Sequence, residues 1–397
     1  MLAVLLATIQ FITTWAATLG NFDKAVNDEI KKLEKMHENV EIGDIEVMGK
    51  GARYYGYIPY EVKEGAATHI VRQTSTWAST QKGLDRAVNE KINRLKMSTD
   101  SETQTLTIKE INVEMSANYY YAYIRYEIAQ TPQKGKSVAK LKSTSGSTLS
   151  GFESAVKESV KGLKAQAAQE KKKLVVKKMD VQMTKSYYFA FITYEFTKAT
   201  KGKEEDFGFT STWAGTLSKL DSSVNNKIKN LQKSIDTTKQ SLVINKIDTQ
   251  MGPNNYYAFI SYEVKDVPQE VRSDARLVST WASKMSNLDT EVKKQVDRLY
   301  DSIDPTTQSL IIKDIRADMN TYYYAFISYE ILNTPNKTSL MYLNSSWAGS
   351  NNKLCAEMNK QAKGIGAKFS KFFSIHNLNT KITKYWMYYF MSYRPAA

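Results

Sequence analysis

Apolar and polar residues follow one pattern that is repeated six times along the chain. Taking Trp77 as an anchor, apolar residues recur at Leu84, Val88, Ile92 and Leu95. The same offsets give Leu220, Val224, Ile228 and Leu231 after Trp213, and Leu288, Val292, Val296 and Leu299 after Trp281. Steps of three and four place these residues on one face of an α-helix. Each anchor falls in phase with that face. The Thr before it (Thr76, Thr212, Thr280) is an expected N-cap for a helix of roughly 20 residues. Upstream, apolar residues two apart, such as Ile9 and Phe11, Phe207 and Phe209, Ala275 and Leu277, and Met341 and Leu343, predict a short first strand. In the second repeat Val71 is followed by Gln73, a weaker signal.

Downstream of each helix, a polar joint leads into a β-rich run, Leu106–Met115 or Leu310–Met319. A brief turn then opens a tyrosine-rich run. Its best copy is Tyr323–Glu330, with others at Tyr54–Glu61, Tyr120–Glu127, Tyr187–Glu195, Tyr256–Glu263 and Tyr388–Arg394. Two such runs joined by a turn read as a hairpin. The unit is therefore strand, helix, strand, strand, and the fold class is α+β with six tandem βαββ repeats, each an antiparallel sheet covered by one helix. The repeats span 1–64, 65–132, 133–200, 201–267, 268–334 and 335–397. Short linkers (130–136, 198–203, 333–337) make successive repeats neighbours, and a first strand is free to pair with the preceding repeat. The tyrosine-rich strands lack polar alternation, which predicts that both of their faces are covered. The first and last repeats shorten the anchor-to-second-strand interval, which favours an open stack with distinct ends, or a ring with a distinct seam. The apolar start, Met1–Gln10, reads as a first strand rather than a signal peptide, because it lacks a basic leading segment.

The unit resembles the dodecins, small βαββ proteins whose sheet wraps one helix. The likeness lies in Thr74-Ser75 at the strand-to-helix corner, Ala87–Ile92 on the helix and the hairpin that follows. The resemblance implies oligomer-like assembly and a bound aromatic ligand such as flavin. Dodecins stack flavin on a Trp of the second strand, whereas here the second strands Leu106–Met115 and Leu242–Met251 contain none.

Composition narrows the function. The net charge of +14 permits an anionic partner. The single cysteine, Cys355, excludes an intrachain disulfide framework and suits a cytoplasmic location without excluding secretion. No apolar run approaches the roughly 18 residues of a transmembrane segment. The three histidines are scattered, so neither a metal site nor a catalytic site is expected, and no cofactor is expected. The recurrent Asp23, Asp85, Asp221 and Asp289 read as helix-surface partners of the residue four positions on. Cys355 takes the same place in the sixth repeat and reads as drift rather than as a nucleophile.

Three groups of residues are candidates for function. Trp15, Trp77, Trp213, Trp281 and Trp347, replaced by Ser145 in the third repeat, read as core anchors or as a shared aromatic ligand platform. Tyr121, Tyr123, Tyr257, Phe259, Tyr324 and Phe326 are candidate interface residues on the third strands. Lys171, Lys172, Lys173, Lys177 and Lys178 form the densest basic run. The expected function is a non-enzymatic structural or interaction protein that associates with itself or a neighbouring protein. Nucleic-acid binding through basic surface and tyrosines is the alternative, and a dodecin-like carrier of an aromatic ligand is the third reading.

Overall fold

The computed structural model describes residues 9–50, 53–63, 69–116, 119–132, 137–198, 206–266, 273–368, 373–383 and 386–395. Parts of the linkers and residues 1–8 lie outside them. Each repeat forms a small antiparallel sheet beside one helix. The third strand is central, flanked by the first and second strands of its own repeat. In the fourth repeat Asp206–Ala214 and Ser241–Met251 both pair with Tyr256–Lys265. The first strand therefore does not pair with the preceding repeat as expected. In the sixth repeat the lead-in does pair with its predecessor: Ser339, ahead of the first strand, forms a parallel bridge with Ile311.

The helices are Leu19–Met36, Gln81–Ser98, Leu149–Gln169, Leu217–Lys233, Met285–Asp301 and Asn351–Lys368. Their expected apolar faces are buried, for example Leu220, Val224 and Ile228. Each begins later than the sequence pattern suggests. The caps are Thr18, Thr80, Thr148 and Thr216, whose hydroxyls accept from the first helical turn. Trp77 lies seven residues before Leu84, two helical turns, so its phase matched the helix by coincidence. It belongs to the first strand, His69–Ala78, opposite Tyr121.

The six repeats close into a ring. Each helix packs on its own sheet and on the first strand of the next repeat, and the last helix packs on the first strand of the chain, Gln10–Ala16. At this seam, Phe11, Tyr55 and Tyr57 of the first repeat join Leu354, Met358 and Ile365 of the sixth in one core. The expected lean toward an open stack gives way, because the terminal repeats bury the same surfaces as the internal ones. Both faces of the third strands are covered within the chain, one by the repeat's own helix and the other by the preceding repeat. Tyr121 and Tyr123 join the core of the first repeat, Tyr257 and Phe259 that of the third, and Tyr324 and Phe326 that of the fourth.

The recurrent helix acids and the residues four positions on do not pair with each other. The acids, and the Asn four positions on in the first, second and fourth repeats, reach across to the first strand of the next repeat. Asn225 accepts from the Leu277 N–H at 2.8 Å and donates to its carbonyl at 3.1 Å. One turn earlier, Asp221 accepts from the Ser279 N–H at 3.0 Å and from its hydroxyl at 2.9 Å. Asn27 holds Gln73, Asn89 holds Leu141 and Asn359 holds Phe11 by the same pair of bonds. The carboxamide stands in for a peptide group, so the free edge of each such strand has a partner without another strand. Gln73, which weakens the sequence signal for its strand, is buried and held there. Cys355 sits at the seam with its thiol 3.3 Å from the Phe11 carbonyl.

Candidate functional site

The strand-to-helix corners and the hairpin turns between the second and third strands lie at one rim of the ring. Each anchor Trp occupies the penultimate place of its first strand there. Trp15, Trp77, Trp213, Trp281 and Trp347 are 50–54% exposed. They are not the core anchors that their phase suggested. They project on the strand face that meets the preceding repeat, but beyond the end of the helix that covers that face. Aromatic neighbours hold them upright: Trp77 meets Tyr119 at 5.2 Å between centroids, Trp281 meets Tyr322 at 5.3 Å and Trp347 meets Trp386 at 4.4 Å, all edge to face. The Arg53 guanidinium covers Trp15 at 4.9 Å. In the third repeat Ser145 replaces the Trp, and the turn residue Tyr187 is exposed instead.

Charge reinforces the rim. None of the six helices carries an acid in its first turn. Exposed Lys82, Lys219 and Lys353 lie in first turns, Lys284 at a cap, and Arg53 and Lys185 in or beside the hairpin turns. Lysine is unfavourable at a helix N-terminus, where the peptide dipoles already present positive charge. Four repeats keep one there.

The second strands line the centre of the ring. Alternate side chains point inward: Glu110, Asn112 and Glu114 in the second repeat, Lys178, Asp180 and Gln182 in the third, Asp314, Arg316 and Asp318 in the fifth. They surround a cavity of about 1430 Å³ lined by ten carboxylates and four lysine or arginine side chains. Neighbouring repeats are bridged across it. Lys178 donates to Glu110 at 2.9 Å and Asn112 at 2.7 Å, Lys246 reaches Asp180, Arg316 pairs with Asp248 and Lys381 with Asp318. The lining of the interior thus carries more acids than bases.

The Lys171–Lys178 run does not form one patch. Lys172 pairs with Glu170, Lys177 with Glu195, and Lys178 turns into the central cavity. Lys177 sits at a β-bulge, which separates it from its neighbour's face. The inward polar residues and the rim cations were missed in the sequence. The available signals were period-two polarity along the second strands and lysine where a helix start favours acid. No family model, curated protein or solved structure matches the chain.

Burial raises several carboxylates of the ring. It pushes Glu46 up to about 8, helped by Glu114 and Glu110 and opposed by hydrogen bonds from Thr380. It pushes Glu114 up to about 7 against donors from Gly49 and Tyr123. Asp221 and Asp289 rise to about 6 for the same reason, opposed by Ser279 and Ser345. A carboxyl group that binds its proton more tightly when folded stabilises the fold at low pH, and that contribution fades as pH rises through the folded value. Through these four groups stability should therefore fall by several kcal/mol as pH rises from 5 to 8. Urea unfolding at constant ionic strength measures it; a stability that rises over this interval would contradict the assignment.

Proposed function

We propose that the protein is a non-enzymatic binding ring that engages its partner through the tryptophan rim. The observation that carries this reading is a half-exposed Trp kept at one rim in five of the six repeats. A fold that buries Tyr57, Phe259 and Phe326 between repeats leaves these tryptophans out at the rim, together with Tyr119, Tyr187, Tyr322 and Trp386, and exposed aromatics gathered at one place mark binding surfaces. The tyrosine-rich strands take a different part: they join repeat to repeat inside one chain, so association with a partner falls to the rim. Threading of nucleic acid through the centre is disfavoured by its carboxylates.

The test separates binding residues from packing residues. Trp77, Trp213 and Trp281 are changed to Ser, the residue that the third repeat carries at this place. Each change should cost less than about 1 kcal/mol in urea unfolding, as for a surface residue. A loss of about 3 kcal/mol or more per site, the range of core Trp truncation, would make them structural anchors and end this reading.

A further inference from the structure

We infer that the partner of the rim is the surface of an anionic lipid bilayer, an inference that rests on the binding-ring reading. Three observations select it. First, the rim aromatics stand at equivalent places around a closed ring, so they present to a flat object together. Trp and Tyr half in and half out of water suit the headgroup level of a bilayer, where an apolar ring body meets a wet edge. Second, six exposed cations accompany them: Arg53, Lys82, Lys185, Lys219, Lys284 and Lys353. No acid occupies the first helical turns or the described hairpin turns of this rim. Such a surface is complementary to anionic headgroups. Third, the same cations oppose the nearest competitor. A second copy docking rim to rim would bring twelve like charges and twelve helix N-termini together. A single nucleic-acid strand is less suited, because the edge-to-face neighbours of Trp77, Trp281 and Trp347 crowd faces on which bases would stack. Among the described residues no helix is long and apolar enough to cross a membrane, so the contact is peripheral.

The experiment uses the full chain and vesicles of phosphatidylcholine alone or with one-fifth phosphatidylserine. Co-sedimentation at low salt should show binding to the phosphatidylserine vesicles, with a blue shift of Trp emission. Binding should weaken at least about tenfold in 0.5 M salt, where the screening length falls to a few ångströms. The triple variant Trp77→Ser, Trp213→Ser, Trp281→Ser and the double variant Lys82→Glu, Lys219→Glu should each lose at least about tenfold in affinity, with unchanged far-ultraviolet circular dichroism. Glycerophosphoserine in solution should not compete at millimolar concentration, because it lacks the bilayer. Acrylamide quenching of the free protein runs alongside. Quenchable tryptophans with no vesicle binding would overturn the lipid assignment and leave an open rim for another partner. Tryptophans shielded from acrylamide would overturn both. Equal binding to phosphatidylcholine alone, unchanged binding by either variant, or rim-dependent capture of a single-stranded oligonucleotide in place of vesicles would each overturn the inference.

Discussion

Phe152→Ala should destabilise the protein by about 3–5 kcal/mol, the range for truncating a buried aromatic. Phe152 is fully buried in the helix of the third repeat. It stacks on Tyr188 of its own sheet at 5.8 Å between centroids and meets Phe209 and Phe259 of the next repeat edge to face at 5.5 and 5.9 Å. Truncation removes contacts on both sides, and the helix held between two sheets cannot sink to fill the space. Phe152→Leu tests this account. Leu is what the second, fourth, fifth and sixth repeats use at this place, as Leu84, Leu220, Leu288 and Leu354. It should cost less than about 1.5 kcal/mol. Urea unfolding followed by circular dichroism measures both. Equal losses in the two variants would show that the site does not discriminate volume.

Asn225→Ala should cost about 2–3 kcal/mol, although the side chain is only partly buried and carries no charge. Its carboxamide satisfies both the N–H and the carbonyl of Leu277 on a strand edge with no further strand beside it. Each net hydrogen bond is worth about 1 kcal/mol, and a covered peptide group left without a partner costs more. The control lies in the fifth repeat, where Lys293 replaces the Asn and pairs with Asp297 on the helix surface. Lys293→Ala should leave the urea midpoint essentially unchanged, as for an exposed ion pair. The same variants should differ in amide exchange. The Leu277 amide should lose protection in Asn225→Ala and keep it in Lys293→Ala. A Leu277 amide as protected in Asn225→Ala as in the unaltered protein would show that the carboxamide does not hold the strand.

The repeat architecture was legible because its signals are local. Helix faces such as Leu84, Val88 and Ile92 have a period set by backbone geometry, and so do the strands. Covered third strands were legible from continuous apolarity. Two errors share a cause. The Trp phase and the Asp–Asn spacing both fit a helix, and a one-dimensional pattern does not tell a residue inside an element from one two turns before it. Nor does it tell a pair that meets on one helix from a pair that grips a neighbouring strand. The central cavity was missed because Glu110, Asn112 and Glu114 look like ordinary solvent-facing strand residues until six such strands face one another.

The sequence by itself determined the number of repeats, the order of elements within each and the residues of each helix-to-sheet core, because neighbours within about 70 residues and a fixed period decide these. Only the tertiary structure decided that the sixth helix closes on Phe11, some 350 residues away in sequence, through the Asn359 carboxamide. Closure follows from the rotation between successive repeats, an angle that no single repeat encodes in its pattern. It is set by how each helix sits between two sheets. That same rotation brings the carboxylates to one centre and the tryptophans to one rim.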